Sequence, residues 1–146
     1  MKKLMEIHLA GHSKQSTKNS SLFKVANDAL LSSAQIAIHN RNYIVNNISA
    51  DLRIETNGLI VSSVLNKLFN TVVRNAQNSV ILVSAKEYGL TILVQVKSKG
   101  LISPGLSEEI NHACINAQKT GGIIEMTQCE SEQASVAYCF LNVAAA

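Results

Sequence analysis

The sequence predicts an α/β (α+β) two-layer sandwich, in which three helices cover one face of a mixed, mostly antiparallel sheet. Three observations predict it. Apolar residues recur at three-four spacing over residues 60–76. The pattern then switches to two Val/Ile/Leu-rich runs, "SVILVSA" and "LTILVQVKS". A further helical stretch, "EEINHACINAQKT", leads into two more extended runs, "IIEMTQC" and "ASVAYCFLNV".

Residues 1–21 read as a polar N-terminal arm, because "AGHSKQSTKNSS" is small and polar, and residues 22–146 read as a single domain. Ser20 or Ser21 can cap a first helix over residues 22–39. Its apolar positions are Leu22, Val25, Ala26, Ala29, Leu30, Ala34, Ile36, Ala37 and Ile38. Ala and Ser permit close helix approach there, so this helix is a candidate homodimer face, with core packing as the other explanation. Short extended pieces follow at 43–45 and 52–54, and Asn46 with Asn47 and Asn57 with Gly58 read as turns.

The central helix carries Ile60, Val61, Val64, Leu65, Leu68, Phe69, Val72, Val73 and Ala76 on its apolar side. Arg74 in its last turn suits the negative end of the helix dipole. "KEYG" reads as the turn of a hairpin whose second strand alternates Leu90, Ile92, Val94, Val96 with Thr91, Leu93, Gln95, Lys97. "KGLISPGLS" reads as a loop, with Ser107 capping the third helix and Glu108 and Glu109 in its first turn. Gly121 and Gly122 end that helix, and "ESEQ" turns the final hairpin.

Composition narrows the function classes. A chain of 146 residues with 47% hydrophobic and 16% charged residues supports one real core, and 4% aromatics without Trp make it aliphatic. Net charge is +3, with Lys2, Lys3, Lys14 and Lys18 against Glu6 near the start. That is a solvated basic tail, not the clustered excess of a nucleic-acid binder. No apolar run reaches the ~18 residues of a membrane span. "MKKLMEIHLAGH" opens like a leader peptide, but Glu6 and His8 break it, so a cytoplasmic location is expected. Cys114, Cys129 and Cys139 are odd in number and lack CxxC spacing, so buried thiols are expected, not a disulfide or zinc framework. His8, His12, His39 and His112 are dispersed, and no metal site is expected.

The order of elements, with three local patterns, resembles the ATP-binding domain of the GHKL superfamily, the histidine-kinase-like (Bergerat-type) fold. "VLNKLFNTVVRNA" resembles the N box. "VQVKSKGLIS" stands where such domains end a strand in an Asp-x-Gly-x-Gly turn. The stretch from "INHACINAQKTGG" to "VAYCFLNV" resembles the closing helix and hairpin. The resemblance covers roughly residues 22–143. It implies a bacterial signalling domain that holds Mg-ATP through N-box Asn residues, an Asp under adenine and a Gly-rich lid.

This chain departs from each of those parts. Family N boxes read Leu-x-Asn-Leu-Leu-x-Asn-Ala-Ile. Matching Leu65, Leu68, Phe69, Val72 and Val73 to the apolar positions puts Lys67 and Thr71 where the two Asn stand. Asn66 and Asn70 have the right spacing but lie one residue early, about 100° around the helix. An ammonium has no lone pair for Mg²⁺, although Lys67 can still pair with a phosphate. Ser98 takes the Asp position, Gly100 remains, and Ile102 replaces the second Gly. Only 20 residues separate Gly100 from Gly121, too few for both a lid and a helix.

The expected function is therefore a non-hydrolysing, histidine-kinase-like module without an ATP lid and with no cofactor. It would meet a protein partner in a two-component or anti-sigma-like pathway. The rival is a divergent ATP-dependent histidine kinase or anti-sigma-factor kinase using Mg-ATP at Asn66, Asn70 or Lys67. The strip Asn66, Asn70, Arg74 reads as solvated or partner-facing surface.

Overall fold

The computed structural model describes residues 20–119 and 121–144. In chain order these form β1 (Ser20–Ser21), α1 (Leu22–Leu31), α2 (Ala34–His39), β2 (Tyr43–Asn46), β3 (Arg53–Ile54) and α3 (Gly58–Arg74). Then come β4 (Ala76–Tyr88), β5 (Thr91–Ile102), α4 (Leu106–Lys119), β6 (Ile123–Glu130) and β7 (Gln133–Leu141). Five strands form one sheet in the order β2-β4-β5-β7-β6, and β1 pairs with β3 separately. The β2–β4 pair is parallel and the other pairs are antiparallel. This is the expected mixed α+β sandwich.

One face of the sheet is dry. Ile81, Val83, Ile92, Val94, Val96, Val136, Tyr138 and Phe140 alternate inward and join the helices in a single core. On α3 the expected register holds: Leu65, Leu68, Phe69, Val72 and Val73 are all buried. Each such side chain stabilises the fold by ~1.5–3 kcal/mol, which fixes the rotation of the helix.

Several boundaries differ from expectation, for local reasons. Ser20 and Ser21 are not the end of an arm; they form β1, and Ser21 Oγ caps α1 by accepting from Lys24 N. The rest of the arm lies outside the described residues. The first helix breaks in two at Ser32–Ser33, where Ser32 Oγ bonds back to the Ala29 carbonyl. Its small residues Ala26, Ala29 and Ala37 are buried in the core, so they offer no free surface for self-association, and Ile38 points outward. Asn57 is not in a turn: its side chain caps α3 at Leu59 N, and Gly58 is the first helical residue. "KEYG" is mostly strand, and the hairpin closes tightly at Gly89, with φ +61°. "KGLI" extends β5, leaving a loop of only Ser103, Pro104 and Gly105, and Ser107 lies inside α4 instead of capping it. Gly121 takes φ +89° after α4, while Gly122 N bonds the Ala117 carbonyl and Gly121 N the Gln118 carbonyl, the paired bonds of a helix stop. Among the thiols, Cys129 is exposed and Cys114 and Cys139 are half-buried, so the expected buried set is not found.

Candidate functional site

The residues singled out from sequence fall into two separate groups. Thr71, Ser98 and Ile102 are buried beneath the helical layer, at 3%, 1% and 8% exposure. Lys67 and Arg74 are exposed and Asn66 and Asn70 half-buried. Lys67 and Thr71 are four residues apart, yet Thr71 turns inward and donates its hydroxyl to the Lys67 carbonyl at 2.8 Å. Lys67 itself lines a shallow surface concavity with Ser32, Ser63, Asn66 and Asn70. There Ser32 Oγ and Asn66 are 2.8 Å apart. The single Ser32 hydrogen already reaches the Ala29 carbonyl, so the Asn66 amide is best turned to donate.

The rest of the strip is engaged at the C-terminal end of α3. Arg74 donates to Asn70 Oδ1 and forms an ion pair with Glu109 from the first turn of α4. Asn75 donates to Glu109 at 3.2 Å and to the Thr71 carbonyl at 2.8 Å. Its own carbonyl accepts from Ser103 N at 2.7 Å, bringing the end of β5 against the end of α3. Burial raises the Glu109 pKa, but bonds from Arg74 and Asn75 and the charges of Arg74 and His112 outweigh it, holding the carboxyl below its ordinary range.

Asn75 and Glu109 were not among the candidate site residues: Asn75 read as part of the polar face of the central helix and Glu109 as a first-turn acid. The signal was present. The pattern Leu-x-Asn-Leu-Leu-x-Asn-Ala fits again one turn later as Phe69, Asn70, Thr71, Val72, Val73, Arg74, Asn75, Ala76. In that register Thr71 and Asn75 take the two Asn positions of the pattern, and Asn75 is tied through Ser103 to the strand end that carries Ser98, Gly100 and Ile102.

Ser98 faces the helix-covered side of β5, and its hydroxyl has no hydrogen-bond partner. Gly100, with φ +149°, faces a bulge in β4 between Gln77 and Val80. A Cβ there would lie 2.2 Å from Ser79 Oγ and 2.7 Å from the Asn78 carbonyl oxygen. The sheet alone therefore requires this glycine. Among the described residues no group of three or more His, Cys, Asp or Glu could hold a metal ion, and no helix is long and apolar enough to cross a membrane.

No family model matches the chain, and no curated protein matches it. Solved structures do. A histidine kinase from Burkholderia phymatum superposes with a TM-score of 0.72 at 9% identity, over 88% of this chain and 72% of that one. The histidine kinase AdeS of Acinetobacter baumannii gives 0.71 at 9% identity, over 89% and 69%. The catalytic domain of histidine kinase ThkA gives 0.70 at 12% identity, over 90% and 100%. The chain has the fold of a histidine-kinase ATP-binding domain. At these identities the likeness is one of fold, and the chemistry must be read from this chain's own side chains.

Proposed function

We propose that this GHKL-type chain is a signalling module whose nucleotide site is closed, and that it acts by binding a protein in a two-component or anti-sigma-like pathway without hydrolysing ATP. One observation carries the reading. Thr71, Asn75, Ser98 and Ile102, four of the positions that the resemblance sets against nucleotide-binding groups, are at least nine-tenths buried, while Gly100 is half-buried. Asn75 is engaged by Glu109, whose carboxylate would repel a phosphate. Ser98 offers a short neutral hydroxyl where a carboxylate is needed to take a hydrogen bond from adenine. The side chains present do not fit Mg-ATP as they stand. A protein partner is supported by ThkA, solved in complex with the response regulator TrrA, to which 87% of this chain superposes at 16% identity and a TM-score of 0.66. That chain is longer, and this one spans 42% of it.

Titration with a Mg²⁺-loaded non-hydrolysable ATP analogue, followed by thermal unfolding, tests the closed site. No shift is expected. A binder would gain ~2.7 kcal/mol of stability at one hundred times its Kd, and that gain would overturn the reading. The rival, Mg-ATP bound by a divergent kinase, draws on the Lys67 concavity, whose Ser, Asn and ammonium groups suit a phosphate. If the rival holds, the shift appears and Lys67→Ala removes it.

A further inference from the structure

The uncovered face of the sheet does not read as a face meant for water. An antiparallel sheet with one solvated side turns polar residues outward. Here two cross-strand rows do otherwise. Register aligns Tyr43, Val80, Lys99 and Gln133 in one row, and Val45, Leu82, Lys97 and Ser135 in the next. Alternation places all of them opposite the buried set. Tyr43, Val80 and Leu82 are 43%, 51% and 36% exposed, and Leu101, 55% exposed, continues the patch beside Lys99.

Charge decides what could cover it. Lys86 on β4 points the same way as Lys97 and Lys99, and no salt bridge engages any of the three among the described residues. Among the described residues, acids lie only at the margins. Glu125 and Glu130 belong to the far edge strand β6, and Glu132 sits in the β6–β7 turn beside Lys99. A second copy would bring lysines against lysines. The N-terminal residues 1–19 are themselves basic, with Lys2, Lys3, Lys14 and Lys18 against Glu6. An acidic, aliphatic partner satisfies both the apolar rows and the lysines.

We propose that the outer face of β2, β4 and β5 is a docking surface for an amphipathic protein segment with an aliphatic stripe and acidic flanks. Tyr43, Val80, Leu82 and Leu101 receive the stripe, and Lys97 and Lys99 set orientation and selectivity. This rests on the protein-interaction reading above and names the partner's chemistry.

The probe is a synthetic amphipathic helix with a Leu stripe flanked by Glu, alongside a twin carrying Lys in place of Glu. Each is titrated against the full chain at low and high salt. The Glu peptide should bind, more weakly as salt rises, and the Lys twin should not. The double variant K97E/K99E should lose about tenfold in affinity for the Glu peptide and gain the Lys twin, an exchange that misfolding cannot produce. V80D/L82D should bind neither. The proposal falls if the two peptides bind alike or not at all, or if K97E/K99E changes nothing. It also falls if the wild-type chain sediments as a dimer that V80D/L82D disperses, or floats with phosphatidylserine vesicles while ignoring the peptide. Mg-ATP binding alongside intact peptide docking would instead overturn only the closed-site reading.

Discussion

Gly100 has two competing explanations at the scale of single residues, and geometry separates them. As a remnant of a nucleotide-binding turn it would tolerate Ala once binding is lost. As the partner of the β4 bulge it cannot, because the new Cβ would meet Ser79 and Asn78 at a φ of +149°. Gly100→Ala is expected to cost at least ~2 kcal/mol of stability in urea unfolding. A variant as stable as wild type would restore the first explanation. Ser98 gives the opposite expectation. Its buried hydroxyl has no partner, so Ser98→Ala should stabilise the chain by ~1 kcal/mol. Ser98→Asp should instead destabilise it, since a buried unpaired charge is costly. Thermal unfolding of the pair checks both signs. Gly100 and Ile102 read as loop and prove to be part of β5, whereas the strand itself was legible from its alternating apolar residues. Asn75 was not, because a helix with apolar residues at every third or fourth place fits the N-box pattern in two registers one turn apart.

At the scale of elements, asparagines hold α3 in position. Asn42 donates to the Val73 and Ala76 carbonyls at 3.0 Å each and accepts from Ser79 N, so one side chain joins the end of α3 to the bulged start of β4. Asn40 adds bonds to the Val73 and Arg74 carbonyls. Asn42→Ala takes this partner from the Ala76 carbonyl and Ser79 N, while Asn40 still reaches the Val73 carbonyl, and should cost ~2 kcal/mol, read as a lower urea midpoint. An unchanged midpoint would mean that water replaces the amide. The α3–α4 tie through Glu109 is weaker, because both partners are partly exposed, and is worth less than ~1 kcal/mol. Its sign with pH follows from the lowered Glu109 pKa. The contribution is full above the ordinary value of 4.5 and is lost as pH falls through the lowered one. Glu109→Gln should therefore be less stable than wild type at neutral pH and converge with it in acid. A gap that does not narrow at all as pH falls below 4.5 would sink the assignment. The existence of α3 was legible because its apolar period is long, and its limits were not. Asn57 and Gly58 favour turns and helix starts alike, and only the pairing of Leu59 N with Asn57 decides between them. The break at Ser32–Ser33 likewise depends on a local hydroxyl-to-carbonyl bond that apolar spacing does not record.

Across the whole molecule, the sheet order was the least legible feature. Tyr43 to Val45 read only as a short extended piece and Asn46 as a turn, yet all four residues form β2, which runs parallel to β4 and completes the sheet that carries the outer apolar rows. Such non-local pairing is set by which faces must be dry, and α1 and α3 reach that face together. One aliphatic core runs from Leu22 in the first helix to Phe140 in the last strand. With every element except β1 feeding one core, opening any layer exposes the rest, so the chain should unfold in a single step. At ~0.7 kcal/mol per residue near 60 °C, the calorimetric enthalpy of the 146-residue chain should be about 100 kcal/mol and should equal the van't Hoff value. The exposed ion pair on α4 is too weak to hold that helix in place alone, so its buried Leu106, Ile110, Ala113 and Ala117 must do so. If calorimetry resolves two transitions, or helical circular dichroism melts before the β signal, α4 lies outside the cooperative unit. The site it covers would then open without global unfolding, and the burial of Thr71, Asn75 and Ser98 would no longer argue for a closed site.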